Sequence, residues 1–361
     1  MSEFNSLCLY LGIYALSACL LNIWEKRHCL ILGVIGFAIP ILFAALRYPV
    51  GTDFWTYLHI WNGDINKSYT DIFEHFYSEP GFHLISKLTG DYGDERCYFG
   101  AWASLTLIPA IISFKKQFNG QYLGLFSFLF LLTTFTSSFN IIRQGIAVTF
   151  TFVASAYVFR RDLRKFILCI IIAMMFHFSA IIFAPAYYLY SKGKLITPSR
   201  GLFLLIVFIG VLFATSLVES LSGISGFEKY SVYAEADSRA HNRSLILSVI
   251  LFVIFICHRK AMERTDGRTY TYLVLVFVGL LIESTGSITP FIKRSAMYFN
   301  IYYIVLACIW IKSFYRVRQF AALFILCFFC IRFIIAFYIL GQSDIIPYNT
   351  KETYLEQSIY G

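Results

Sequence analysis

Stretches of close to 20 apolar residues recur along the whole chain, and no other feature limits its fold as strongly. A run of that length is what a bilayer core of roughly 30 Å asks of a helix. In lipid every backbone N–H and C=O must be satisfied within the chain, so such runs fold as helices and not as open sheet. They cover residues 6–24, 29–46, 97–114, 122–137, 144–159, 166–190, 201–221, 244–257, 270–287, 295–311 and 320–340. None carries the regular polar face that a soluble helix shows to water. Only 14% of the 361 residues are charged, against about 25% in a soluble domain. The chain therefore reads as an all-α polytopic membrane protein, one integral membrane domain over residues 1–361. The first run lacks a basic lead-in and a small-residue cleavage site, so it is expected to stay as a span.

Orientation follows from lysines and arginines in the short loops, which favour the cytoplasmic side. Lys26 and Arg27, Lys115 and Lys116, the Arg160, Arg161, Arg164 and Lys165 group, the Arg259, Lys260, Arg264 and Arg268 group, and Lys312, Arg316 and Arg318 each mark such a turn. Alternation fails once, because three runs separate the Arg160 group from the Arg259 group where an even number of crossings is needed. Segment 166–190 offers the solution: it carries His177 mid-way and Pro185 later, and Lys192, Lys194 and Arg200 follow it. If it enters from the cytoplasm, breaks near 173–177 and returns, the fold has about ten transmembrane helices plus one re-entrant pair, with both termini outside. The loop 47–96 is then a large extracytoplasmic loop with amphipathic helices. Phe54, Trp55, Leu58 and Trp61 recur there at helical spacing suited to the interface, and Thr52 stands where it would N-cap them. The net charge of +9 is accounted for by the cytoplasmic turns and anionic lipid, not by nucleic acid. The nine cysteines read as small packing residues, and no His or Cys set has the spacing of a metal site.

Charged groups at or inside an apolar boundary are costly, and function is the default reason for them. Arg47 ends the second run and opens a stretch that closes on Asp53. Either Arg47 snorkels and Asp53 favours the helix N-terminus, or the two flank a turn that receives an anion. Arg143, followed by Gln144, lies on the outer side against the positive-inside trend, and its guanidinium forks onto phosphate oxygens. His177 is either a satisfied interior residue or a general base. Lys293 and Arg294 precede Tyr298 and Phe299, again on the outer side, while Glu283 and Arg332 offer a structural ion pair. Glu79, Pro80, Gly81 and Phe82 follow Phe73, Phe76 and Tyr77, aromatics suited to an interface or to sugar faces. No phosphate-binding glycine loop, nucleophile elbow or His-Glu-x-x-His motif occurs, so the chain is not an ATP-driven pump by itself.

In order, these pieces are Arg47-x-x-Val50-Gly51-Thr52-Asp53, Glu79-Pro80-Gly81-Phe82, Ile142-Arg143-Gln144-Gly145, Ala173-x-x-Phe176-His177-x-Ser179, Arg294 with Tyr298 and Phe299, and Ile346-Pro347-Tyr348. The ordered set resembles the EpsG/Wzy family of bacterial polysaccharide polymerases over nearly the whole chain. The resemblance implies a GT-C-like membrane glycosyltransferase that takes undecaprenyl-diphosphate-linked oligosaccharides. It would pass the glycan from its lipid diphosphate to a sugar hydroxyl of a second lipid-linked repeat unit, at the outer face of the bacterial plasma membrane. It further implies no metal or other cofactor and a partner that regulates chain length. On that reading Arg47, Arg143, Gln144 and Arg294 would contact the diphosphate. Glu79, Tyr298 and Tyr348 would help bind diphosphate or sugar, and His177 or Asp53 would serve as base. Two other functions fit the same residues: a flippase for lipid-linked sugars, and an O-acyltransferase of surface glycans. The halves show none of the repeat symmetry that many transporters carry.

Overall fold

In the computed structural model, residues 1–74, 79–189, 238–284 and 293–360 are described. The apolar run at 201–221, the basic residues Lys192, Lys194 and Arg200, and Phe76 and Tyr77 lie outside them. Every described element is helical apart from one isolated bridge between Arg47 and Thr350. The chain divides into two compact units.

The first unit holds Met1–Ala156, Arg164–Ile181 and Phe329–Gly361. Its helices are α1 (Glu3–Arg27), α2 (Leu30–Ala45), α3 (Phe54–Ile65), α4 (Tyr69–Glu74), α5 (Pro80–Tyr92), α6 (Glu95–Phe118), α7 (Leu123–Phe130, continued by a π-turn to Phe135), α8 (Ile142–Arg160) and α9 (Leu163–Phe176). Local chemistry sets their ends. Ser2 accepts the Asn5 amide to open α1, Lys26 and Arg27 suit its C-terminal dipole, and His28 stops it in a left-handed conformation. Asp94 opens α6 by accepting the amides of Arg96 and Cys97, both at 3.0 Å.

Helix α1 packs on α2 and α7, and α2 also packs on α6. Lys115 pairs with Glu25 at 2.6 Å and lies 3.7 Å from the Trp24 ring centre, bringing the basic turns after α1 and α6 to one end. At the other end the Tyr48 amide donates to the Asn349 carbonyl, Arg96 pairs with Glu352, and Lys351 pairs with Glu95. The long loop, the N-terminus and the C-terminal segment thus share an end, in keeping with the charge-based grouping of loops.

Four described helical stretches are long and apolar enough to cross a membrane: Glu3–Arg27, Glu95–Phe118, Ile142–Arg160 and Arg318–Ile339. A fifth is obtained if Leu245–Cys257 and Arg259–Thr265, bent by 70°, form one span. Other apolar helices are shorter. Helix α2, at 16 residues, reaches only about 24 Å. The expected total of about ten crossings therefore belongs to the proposed topology. Outward faces carry large apolar side chains, with Leu30 71% and Phe320 75% exposed, as lipid contact requires. The cysteines depart from expectation: only Cys169 and Cys308 are buried, while Cys8, Cys19, Cys97, Cys257 and Cys327 are exposed.

The second unit holds Tyr157–Leu163 and Ile182–Phe328. It contains α10 (Ala186–Leu189), α11 (Ser238–Cys257), α12 (Arg259–Thr265), α13 (Thr269–Ser284), α14 (Met297–Asn300), α15 (Tyr302–Ser313) and most of α16 (Arg318–Phe333). Helix α13 packs between α11 and α15 around stacked Tyr272 and Tyr302, and the Tyr303 hydroxyl donates to the Ser248 carbonyl. Glu283 is buried in this unit and accepts the Asn300 amide.

Candidate functional site at Glu79, Arg143 and His177

The stretch after α2 cannot continue as a helix through Pro49 and Gly51. Gly51 takes φ +96°, and a Cβ there would collide with the Asn140 carboxamide oxygen. Gly51 and Thr52 donate to the carbonyls of Asp344 and Ser343, and Asn140 donates to the Thr52 hydroxyl and the Ser343 carbonyl. Thr52 is thereby occupied and does not cap α3. Asp53 holds the N-cap position without a side-chain hydrogen bond to the helix. The aromatic stripe of α3 also points differently from expectation. Phe54, Tyr57 and Trp61 are buried against Phe82, Tyr98, Phe99 and Trp102, and only Trp55 faces outward. The stripe is the core of the loop, because α3 packs on α5, which also packs on α6.

That core presents Glu79. The residue adopts a left-handed φ of 63°, a strained state that a non-glycine keeps only when its surroundings insist on it. Pro80 follows at the first position of α5, where its missing N–H costs nothing. A Cβ on Gly81 would lie 3.0 Å from the Met175 carbonyl oxygen, so glycine lets α5 start directly against the last turn of α9. Phe82 then stacks on Trp102 with centroids 5.0 Å apart. Gly81→Ala is expected to cost about 1–3 kcal/mol as overpacking and to loosen Glu79. Thermal unfolding of the detergent-solubilised variant measures this, and an unchanged midpoint would contradict the contact.

Helix α9 ends at Phe176, and a 3-10 turn runs from Phe178 to Phe183. The break falls at the expected place and leaves His177 beside Glu79. His177 Nδ1 lies 2.6 Å from Glu79 Oε1, which also accepts the Phe178 amide at 3.2 Å. Glu79 Oε2 accepts from Arg143 Nη1 at 2.7 Å. Burial alone would raise the Glu79 carboxyl, but donation from His177, the Arg143 charge and the Phe178 amide outweigh it and hold it below its usual range. Arg143 stands in the first turn of α8, within electrostatic reach of the Tyr57 hydroxyl and 5.3 Å from the Phe82 ring centre. Its side chain keeps 38% exposure, against 23% for His177 and 10% for Glu79. The carboxylate is thus an internal brace, and the guanidinium and imidazole are the accessible edges.

Of the residues expected at the site, the structure joins Glu79, Arg143 and His177, with Gln144 buried one position on. Asp53 is partly exposed at the start of α3. Arg47 is buried between the Phe99 and Phe139 rings. Tyr348 packs inside the first unit, stacked on Phe43 at 4.2 Å with its hydroxyl donated to the Phe43 carbonyl. Arg294 is exposed and Tyr298 fully buried in the second unit. Phe82 shapes the site along with the Glu79 motif it belongs to, and Tyr57 does so without having been expected there. The signal for Tyr57 is a hydroxyl on the buried stripe, three residues after Phe54 and four before Trp61. Among the described residues no grouping of His, Cys, Asp and Glu would hold a metal ion.

No curated protein and no solved structure matches the chain. The sequence model of the EpsG family does match, over residues 30–350, which takes in the loop, the brace and the C-terminal segment. The chain belongs to the EpsG family.

Proposed function

We propose that the protein is a polysaccharide repeat-unit polymerase, a membrane glycosyltransferase whose site faces the outside of the bacterial plasma membrane. The donor is a glycan on undecaprenyl diphosphate, and the acceptor is a sugar hydroxyl of a second lipid-linked repeat unit. Family membership supports polymerisation of an exopolysaccharide kind. The observation that carries the chemistry is the carboxylate of Glu79 shared between Arg143 and His177.

Transfer forms a bond from the acceptor oxygen to the anomeric carbon, breaks the bond from that carbon to the diphosphate, and releases the acceptor proton. With Nδ1–H donated to Glu79, His177 has Nε2 to take that proton, and the carboxylate steadies the imidazolium that results. Charge grows on the departing diphosphate at the same time. Arg143 spends one nitrogen on Glu79 and offers its other N–H groups to phosphate oxygens, a preorganised electrostatic stabiliser. Arg294 is assigned as a further diphosphate contact from the family resemblance, and Asp53 is the alternative base. The fold would be GT-C-like, with about ten crossings and a re-entrant pair around 166–190.

The test is the surface glycan of cells that lack the protein and of cells that carry His177→Ala. Single repeat units at the surface, with long chains restored by the parent sequence, are the expected result. Absence of any surface unit would point to a flippase, and full-length chains lacking an acyl group would point to an acyltransferase; either overturns the polymerase reading.

A further inference from the structure

Arg47 is a buried cation that meets no anion among the described residues. Its residue is 4% exposed, and its Nε and Nη1 have no hydrogen-bond partner. The titratable groups that act on it are the hydroxyls of Tyr10, Tyr57, Tyr98 and Tyr348. None of these is an anion: Tyr10 donates to the Ile345 carbonyl and Tyr348 to the Phe43 carbonyl. Among the described residues no carboxylate pairs with it. Rings of Phe139 and Phe99 lie 4.3 and 4.7 Å from the guanidinium carbon, and such contacts return only part of what it costs to take a charge out of water.

The guanidinium borders a cavity that it shares with Ala44, Trp102, Thr106, Ser138 and Ile142. The cavity has room for about one water-sized occupant. Trp102, also in the wall, is 2% exposed, and its Nε1 makes no well-formed hydrogen bond, with the Tyr98 hydroxyl in electrostatic reach of it. Arginine and tryptophan carry donors and no acceptor, so the orphaned groups around this space all ask for an electron pair. A water molecule would accept their N–H groups but leave the positive charge unmatched.

We infer that the Arg47–Trp102 cavity is an anion site for a single negatively charged atom, either a resident halide ion or one oxygen of a phosphate group. It is a different place from the Glu79 brace; a phosphate oxygen there would deepen the glycosyl-transfer reading and rests on it, whereas a resident halide does not. Ile142, in its wall, directly precedes Arg143, so its occupant buttresses the start of α8.

The experiment is thermal unfolding of the full chain in detergent micelles, with sodium gluconate as the base salt at constant ionic strength. Chloride is titrated in one series and inorganic pyrophosphate in another. A saturable rise in midpoint is expected in one of them: chloride identifies a resident halide, and a response to pyrophosphate alone identifies a phosphate oxygen. Arg47→Met should abolish the response. Trp102→Phe, which keeps one aromatic ring and removes the indole donor, should raise the half-saturating concentration about tenfold and serves if the first variant does not fold. No saturable response to either anion, or the same half-saturation in Trp102→Phe as in the parent, would overturn the site.

Discussion

Arg143→Ala is expected to lower the formation of long polymer by roughly 100- to 1000-fold on the proposed mechanism, the usual loss when one preorganised stabiliser of developing charge is removed. The protein should remain in the membrane at normal abundance, because the side chain is 38% exposed and its stacking partner Phe82 is held independently by Trp102. Chain-length distributions from cells, set against the amount of protein in the same membranes, make the comparison. Arg143→Lys separates charge from shape. Lysine keeps a cation beside Glu79 but loses the planar fork that grips two phosphate oxygens at once, so its activity should lie between those of the parent and the alanine variant. Normal polymer length in Arg143→Ala would remove the residue from the reaction.

Glu79→Gln is expected to be at least as damaging, on the order of 10³- to 10⁴-fold if His177 is the base, because a carboxamide can settle the imidazole in the wrong tautomer. The carboxylate accepts from His177, Phe178 and Arg143 together, and an amide nitrogen in its place faces donors. The same substitution has a signature that a packing defect would not give. The Glu79 carboxyl is held below its usual range in the folded protein. Its stabilising contribution is therefore full at neutral pH and is lost as acid carries the solution below about pH 4, through the depressed value. Asp91, Asp94 and Glu352 are also held low, but they are common to both proteins and cancel in the difference. The stability gap between parent and Glu79→Gln should narrow on acidification, and a gap independent of pH would count against the brace.

The apolar runs were readable because the demand of lipid acts on each segment by itself. The basic turns and the break at His177 were readable for the same reason: charge, Pro185 and a polar residue in an apolar run are local signals. The brace was not. Glu79 lies 64 positions from Arg143 and 98 from His177, and no periodicity spans such separations. Sequence set Arg143 and His177 out as reactive groups and gave Glu79 to binding of diphosphate or sugar, since an acidic residue in an outer loop shows nothing of the cations folded against it. The burial of Arg47 was not readable for a different reason. An arginine at a span boundary has a stem long enough to reach water or to stay inside, and only the rings of Phe99 and Phe139 decide which. The stripe of Phe54 and Trp61 had the right spacing, and packing of α5 on α3 turned it inward.

The seam that joins 47–53 to 343–350 ties the site to the order in which the chain is made. Tyr348 fills the space beside Phe43 from 305 positions further along, and the carbonyls that receive Gly51 and Thr52 belong to Asp344 and Ser343. While translation is still short of these residues, the loop that carries Asp53 has water where its backbone partners will stand. The helices that frame the mouth are made first, and the wall that sets their loop is laid by residues far further along the chain. A product ended before them would thus leave Gly51 and Thr52 without their backbone partners, and the turn that leads into α3 without its wall.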